Sequence, residues 1–306
     1  MNMTQSYDEH QTAALLPYPE LVDTLSTTVV DYAAGRIESP ERLVVPLQAG
    51  GVMLSMPASA ADIAIHKLVN VCPGNRAQGM PTIHGQVTAY DSTNGQLLFS
   101  LDGPTVTGRR TAAISALGIR SLARSAKSIL LIGTGKQASN HAEAFAALFP
   151  EAVLYVKGST PQAAARFVAA HAGPGSPLTP LEDDMIPEGI DVVVTLTTSK
   201  TPVYCEAARP GRLVVGVGAF TPDAAEIAAS IVHQSAILVD DPLGARHEAG
   251  DLIQANVDWD RVGSLAAVIE GSWVGSPDQP NLFKSVGCAA WDLAAARLAR
   301  HCLSGA

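Results

Sequence analysis

Apolar and polar positions alternate over residues 43–56, where Leu43, Val45 and Leu47 are followed by Val52, Leu54 and Met56. A period of two places one set of side chains on one face of a strand. The Ala49-Gly50-Gly51 break between the halves predicts a hairpin. A further strand is predicted over 63–69. Residues 84–90 and 96–101 form another pair around Asp91-Ser92-Thr93-Asn94-Gly95, and an Asn-Gly tip suits a tight hairpin turn. With a helix predicted over 20–34, the N-terminal third reads as a mainly antiparallel sheet preceded by a helix.

The pattern changes after Asp102-Gly103-Pro104. Ile114, Leu117, Ile119 and Leu122 fall at helical spacing and predict a helix over 107–123, with Thr105 or Thr107 near its cap. From Ser128 onward, short β-branched runs at 129–132, 153–156, 192–195, 213–217 and 236–239 alternate with helix-like segments at 137–149, 161–171 and 224–229. Such alternation predicts a doubly wound parallel sheet. An Ala/Leu-rich helix over 287–303, with Trp291 and Leu298 on its apolar side, closes the chain.

Chemistry enters at residues 129–138, Ile-Leu-Leu-Ile-Gly-Thr-Gly-Lys-Gln-Ala. A strand stops at Gly133, and a glycine turn leads directly into a helix. Gly133 can take the backbone angles of a sharp turn, Gly135 has no side chain to block a close approach, and Ala138 lets the helix pack on the sheet. Gly133, Thr134, Gly135, Lys136, Gln137 and Ala138 would therefore hold a dinucleotide, its pyrophosphate facing the free N–H groups of the helix start. An NAD-preferring site usually has an acid at the end of the second strand, on the adenosine ribose. Here that strand ends in Val156-Lys157-Gly158-Ser159-Thr160. Lys157 can pair with a 2′-phosphate while Ser159 and Thr160 donate to it, so NADPH is the expected cofactor and NADH a possible second one. A solvated lysine followed by a threonine helix cap is the plainer alternative.

Composition narrows the field. The 306 residues suit one large domain or two medium ones, and a net charge of −9 argues against a nucleic-acid partner. No apolar stretch is long enough to span a bilayer, and the polar start Met1-Asn2-Met3-Thr4 does not read as a signal peptide. Cys72, Cys205, Cys288 and Cys302 are scattered, as thiols in a reducing cytoplasm would be. The eight histidines show no metal-type spacing, so no metal is expected.

Three cations stand in or near the antiparallel part: Arg42 at a strand start, Lys67 within an apolar strand, and Arg110 beside Arg109 in the expected first turn of a helix. A charge in an apolar strand is costly unless paired, and a cation near a helix N-terminus opposes the dipole. Surface or structural ion pairs would explain each alone. Together with the nucleotide turn they suggest a pocket for a small carboxylate.

With these residues in place, the chain resembles the ornithine cyclodeaminase/μ-crystallin family. The matching segments include Lys67-Leu68-Val69-Asn70, Gly108-Arg109-Arg110-Thr111-Ala112-Ala113, Gly133-Thr134-Gly135-Lys136-Gln137-Ala138, Thr197-Thr198-Ser199-Lys200, Glu248-Ala249-Gly250-Asp251 and Phe283-Lys284-Ser285-Val286-Gly287. The resemblance implies an α/β fold in which a Rossmann-type doubly wound parallel sheet is inserted into an α/β domain with a mainly antiparallel sheet. Residues 1–120 plus 283–306 would bind substrate and form a homodimer, and residues 121–282 would bind NAD(P). By motif position Arg42, Lys67 and Arg110 would hold the substrate carboxylate and polarise its nitrogen end, with Lys67 and Arg110 catalytic and Thr82 lining the pocket. Thr197, Thr198, Gly218 and Ser285 would lie on the nicotinamide side.

One departure is informative. The family's cyclodeaminases carry an Asp six residues before a Glu-Leu-type pair, and counting back from Glu226 gives Phe220 here. Phenylalanine can neither hold an ammonium nor move a proton, so it would form an apolar wall against the ring of a substrate. The resemblance then implies NAD(P)H-dependent reduction of a small cyclic imino acid, Δ1-pyrroline-2-carboxylate or Δ1-piperideine-2-carboxylate. Ornithine cyclodeamination, alanine-dehydrogenase-like amination of a 2-oxo acid and cofactor binding without catalysis are the alternatives.

Overall fold

The computed structural model describes residues 5–305, apart from 49, 172, 174–177, 183, 184, 274 and 276–278. Ala49 of the hairpin break and the polar start Met1–Thr4 lie outside the described residues. The chain divides into two compact units, Met1–Thr111 with Cys288–Ala306, and Ala112–Gly287.

The first unit is built on strands β1 (Gln5–Ser6), β2 (Ile37–Glu38), β3 (Leu43–Pro46), β4 (Val52–Ala60), β5 (Ala64–Val71), β6 (Ile83–Tyr90) and β7 (Leu97–Asp102). Their order is β1-β7-β6-β5-β4-β2, with β3 also on β4, and every pairing but β1–β7 is antiparallel. Both hairpins expected from alternation form, and Gly95 at the Asn-Gly tip has φ +75°. One face of the sheet is apolar: Met56, Ile65, Val69, Val87, Ala89 and Leu101 are buried there. Helices α1 (Glu9–Ala14) and α2 (Tyr18–Ala33) precede the sheet, and the C-terminal helix Ala289–Ser304 packs on α2, β4 and β5. Leu21, Val22, Leu25, Thr28 and Val29 give α2 a single buried stripe. Tyr32 meets Trp291 of the C-terminal helix edge to face at 5.7 Å. Arg297 ties that helix to Asp31 at 3.0 Å and Asp62 at 2.8 Å.

Helix α3 (Gly103–Leu122) begins four residues before its expected start. The reason is Asp102, whose carboxylate accepts from the Thr105 N–H at 2.9 Å and its hydroxyl at 2.6 Å. Arg110 therefore stands two turns inside the helix, not in its first turn, and the dipole argument for an anion beside it does not apply.

The second unit holds β8 (Ser128–Ile132), β9 (Val153–Lys157), β10 (Leu178–Pro180), β11 (Val192–Thr195), β12 (Leu213–Gly216), β13 (Ala236–Val239), β14 (Gly263–Ser264) and β15 (Asn281–Lys284). They form one wholly parallel sheet in the order β10-β9-β8-β11-β12-β15-β13-β14. The four residues of β11 and of β12 are all buried, as expected of central strands covered on both faces. The helices are α4 (Lys136–Leu148), α5 (Pro161–His171), α6 (Ala229–Gln234), α7 (Pro242–Glu248), α8 (Gly250–Gln254) and α9 (Leu265–Ile269). The helix expected over 224–229 does not form. The Glu226 and Ile227 N–H groups donate to Asp251 at 2.6 and 2.9 Å, and Ile227 bridges to Tyr204 in parallel, which holds that segment extended. Among the described residues no helix is long and apolar enough to cross a membrane.

A buried polar pair joins α3 to α4. His141 Nδ1 lies 2.8 Å from the Gln137 carbonyl, to which it donates, so Nε2 accepts from the Ser115 hydroxyl at 2.9 Å. Burial pulls the imidazole down from 6.5 to about 4. The folded state thus binds fewer protons here than the unfolded chain between those values. Its contribution is complete above the ordinary histidine value and is lost as pH falls toward the folded one. His141→Gln should make stability about 2 kcal/mol less sensitive to a change from pH 7 to pH 5, read by urea unfolding. Equal losses in the two proteins would refute a neutral buried His141.

Candidate active site

Lys67 is placed by strand register. It pairs with Met56 on β4 and Val87 on β6, so its side chain shares the buried face with apolar neighbours and is only 2% exposed. His66, one residue earlier, turns to the other face and meets Ser55 at 2.8 Å. An unpaired ammonium on an apolar face would cost several kcal/mol. The C-terminal helix supplies the partner: Asp292, 0% exposed, accepts from Lys67 Nζ at 3.0 and 3.1 Å. Its Oδ1 also lies 3.4 Å from Arg110 Nε. That buried Nε makes no hydrogen bond of its own.

One carboxylate thus serves two cations, and Arg42, half-buried ahead of β3, adds a third positive charge within electrostatic reach of Lys67. Burial lowers the Lys67 pKa to about 8; Arg110 and Arg42 act in the same sense, and Asp292 opposes them. Two cations sharing one carboxylate leave an excess of positive charge, which suits an anion such as a carboxylate. Arg109 does different work: its Nε donates to the Leu16 carbonyl at 2.9 Å, and its guanidinium stacks 3.9 Å over Tyr18. Thr82 precedes β6, five residues or about 16 Å along an extended chain from Val87, the partner of Lys67, and its carbonyl accepts from Cys72.

In the second unit the glycine turn sits between β8 and α4. Gly133 has φ +135°, and a Cβ there would lie 2.6 Å from the Leu196 carbonyl oxygen, so only glycine fits. Gly135 is the N-cap of α4 and makes no side-chain cap, while a Cβ built on it would meet nothing within 4 Å. The first-turn N–H groups, with Lys136, Gln137 and buried Ala138, thus begin beside open space, and the buried Gln137 Oε1 has no hydrogen-bond partner. This arrangement fits the diphosphate of a dinucleotide. Lys157 ends β9, and its carbonyl accepts from the Gly133 N–H at 2.9 Å. Ser159 is exposed, and Thr160 Oγ1 accepts from the Ala163 N–H at 3.2 Å, capping α5.

Carboxylates organise the C-terminal ends of the parallel strands, where sheets of this class bind ligands. Glu226, fully buried, accepts from the Thr197 N–H at 2.5 Å, the Gly218 N–H at 2.6 Å and the Thr195 hydroxyl at 3.0 Å. It joins the loops after β11 and β12. A Cβ on Gly218 would sit 2.0 Å from the Thr197 carbonyl oxygen, so the two loops can approach this closely only at a glycine. Burial pushes the Glu226 carboxyl up, while the Lys284 ammonium and the Thr197 N–H pull it down. Lys284 lies 2.8 Å from Asp251, both at 0% side-chain exposure. Ser285 donates its hydroxyl to Asp240 at 2.8 Å, and Asp240 also accepts from the Val286 and Gly287 N–H groups. Thr198 is exposed on the loop beside Thr197, and Phe220 is exposed beyond Gly218. Asp223 is held by Lys200 at 2.6 Å and by the Thr221 hydroxyl at 2.8 Å.

Sequence reasoning brought Lys67 and Arg110 to one place but missed the carboxylate between them. Its signal was present: Asp292 is the one acid in the Ala/Leu-rich helix Ala289–Ser304 and is buried in it. Glu226, Asp240 and Asp251 were missed as well, because each lies outside the glycine motif.

The chain matches the ornithine cyclodeaminase/mu-crystallin family over residues 3–305. It belongs to that family. It is 66% identical over 304 residues to "Delta(1)-pyrroline-2-carboxylate reductase 1" of Burkholderia multivorans, covering 99% of this chain and 97% of that protein. It is 67% identical over 299 residues to the "Delta(1)-pyrroline-2-carboxylate/Delta(1)-piperideine-2-carboxylate reductase" of Azospirillum brasilense, with 97% and 96% covered. Among solved structures, the Delta(1)-pyrroline-2-carboxylate reductase of Thermococcus litoralis in complex with NADH and L-proline superposes with a TM-score of 0.89. That pair is 25% identical with 97% of each chain covered. The family's architecture is the one observed, with a parallel Rossmann-type sheet inserted into a unit of mainly antiparallel strands.

Glu226→Leu would strand three donors at once. It should cost about 3 kcal/mol or more in urea unfolding, with Glu226→Gln, which keeps one acceptor oxygen, falling between it and the wild type. Three equal stabilities would show that the carboxylate does not hold the loops.

Proposed function

We propose that this chain reduces cyclic ketimine carboxylates with a reduced nicotinamide dinucleotide, giving L-proline from Δ1-pyrroline-2-carboxylate and L-pipecolate from Δ1-piperideine-2-carboxylate. The observation that carries the proposal is identity of 66% and 67%, over almost the whole chain, to proteins named as such reductases. The site is in keeping with it. Arg42 and Arg110 take the substrate carboxylate, and Lys67 stands at the nitrogen end. The bound cofactor supplies hydride to C2 of the ring. A carboxylate clamped by two guanidinium groups fixes that carbon, and such positioning supplies much of the lowering of the barrier. Phe220 stands where the family's cyclodeaminases carry their acid, so no carboxylate is offered to an ammonium at that position. Asp223, engaged with Lys200 and Thr221, is not free to replace the missing acid. Ammonia elimination from a diamino acid is therefore disfavoured.

Lys157, Ser159 and Thr160 make NADPH the preferred cofactor, because no carboxylate ends β9 to claim a ribose 2′-hydroxyl; NADH is the weaker alternative. A homodimer is part of the proposal. All four residues of β3 are exposed in the single chain, with Leu43 at 62%, and an exposed apolar strand calls for a partner. We place the enzyme in the cytoplasm.

Purified protein with NADPH should oxidise the cofactor in the presence of either ketimine and yield L-proline or L-pipecolate. Inertness to both, together with ammonia release from ornithine, would overturn the assignment. Arg110→Ala should lower kcat/KM for the ketimine by about a thousandfold while NADPH affinity, read by fluorescence, is kept. An unchanged kcat/KM would remove Arg110 from the site. Lys157→Asp should shift the NADPH-to-NADH ratio of kcat/KM toward NADH by about tenfold or more, and an unchanged ratio would clear Lys157 of any role at the 2′-phosphate.

A further inference from the structure

We propose that Asp292 is a positioning residue for the reduction, acting through Lys67, and that Lys67 is the proton donor to the ring nitrogen. The assignment rests on the reductase activity proposed above. Lys67 Nζ carries three N–H bonds; Asp292 accepts at both oxygens, at 3.0 and 3.1 Å, so one N–H remains to be aimed at a ligand. Asp292 Oδ1 stands 3.4 Å from Arg110 Nε, so the same carboxylate fixes the spacing between the group that meets the substrate acid and the group that meets its nitrogen.

Stability alone explains this arrangement poorly. Lys67 and Asp292 are 2% and 0% exposed, on a face otherwise lined by Met56, Val69, Val87 and the alanines of the C-terminal helix. A buried ion pair holds a fold no better than a well-packed apolar pair of the same volume. Its distinct property is chemical: it holds a proton at a fixed place beside the Arg110 guanidinium group.

In the reaction, Lys67 Nζ gives one proton to the ring nitrogen as C2 accepts the hydride. The carbon–nitrogen π pair becomes the new N–H bond, the C–H bond forms from the hydride pair, and the lysine is left as a neutral amine that regains its proton from water. The charged groups facing Lys67 are Asp292 from the C-terminal helix, Arg110 from α3 and Arg42 ahead of β3; its strand neighbours Met56 and Val87 are apolar. Burial, more than the two arginines, drives the proton off and Asp292 retains it, leaving the ammonium at about 8, suited to proton transfer near neutral pH.

The test is the pH dependence of kcat for ketimine reduction with saturating NADPH in wild type, Asp292→Asn and Asp292→Glu. The wild type should lose activity as pH rises through about 8. Asp292→Asn removes the charge that holds the proton, so its alkaline limb should move to lower pH by about one unit or more, with a plateau kcat at least about tenfold lower. Asp292→Glu should keep the limb near its wild-type position. Ionisation of the free substrate is common to all three and cannot produce a difference among them. A limb that does not move in Asp292→Asn overturns the inference while leaving the reductase intact. A wild type inert toward both ketimines overturns the reductase assignment instead. Should Asp292→Asn fail to fold, an NMR titration of labelled wild-type lysines, assigned with Lys67→Arg, decides the matter. A Lys67 signal titrating near 8 supports the inference, and one titrating at the ordinary lysine value of 10.5 overturns it.

Discussion

A lysine on the inner face of a sheet must find a carboxylate, and in the first unit much else follows from that requirement. Lys67 is only 2% exposed in its place between Met56 and Val87. Its charge is held by Asp292, 225 residues away in sequence. The unit is therefore made from both ends of the chain. The C-terminal helix brings the counterion as well as Trp291 and the alanines that close the core. A register slip of one residue in β5 would turn Lys67 outward and His66 inward, leaving Asp292 with Arg110 alone, 3.4 Å away. The ion pair thus specifies the register that the apolar alternation already favours.

The second unit applies the same chemistry to backbone. Buried carboxylates on Glu226, Asp240 and Asp251 accept main-chain N–H groups from the segments beyond the strand ends, where the ladder no longer satisfies them. The start of α4 is handled otherwise. Asp8 caps α1, Asp241 caps α7 and Ser264 caps α9; α2, α6 and α8 start without a side-chain cap, and so does α4, whose Gly135 has no side chain and faces open space. A helix end left without its own acceptor is where an anionic ligand gains most.

Charge divides the labour between the units. The first gathers cations in excess of carboxylate, which suits an acid substrate, and burial, aided by the arginines, brings the ammonium to a proton affinity useful near neutrality. The second surrounds Lys284 with Asp251 and Glu226 and keeps strand-end geometry fixed. Reduction of a ring imine asks for both: an anchored carboxylate with a proton nearby, and a rigid cradle for the hydride donor.

Local pattern was enough for many of the elements, though not for β10, β14, β15 or the short helices α7 to α9. Alternation gave β4 to β7, helical spacing gave α2 and the C-terminal helix, and Gly-x-Gly after an apolar run marked the β8–α4 turn, because each of these depends on neighbours a few residues apart. A lone Lys in an apolar strand was visible as an anomaly, and Phe220 as a departure from the family's pattern. Tertiary structure alone decided the rest. It chose Asp292 as the counterion and drew 224–228 into extended backbone through Asp251. The physical reason is range. Propensity and periodicity act over one or two turns, whereas a buried charge is satisfied by whichever opposite charge the fold carries to it, and no spacing in the sequence records that meeting.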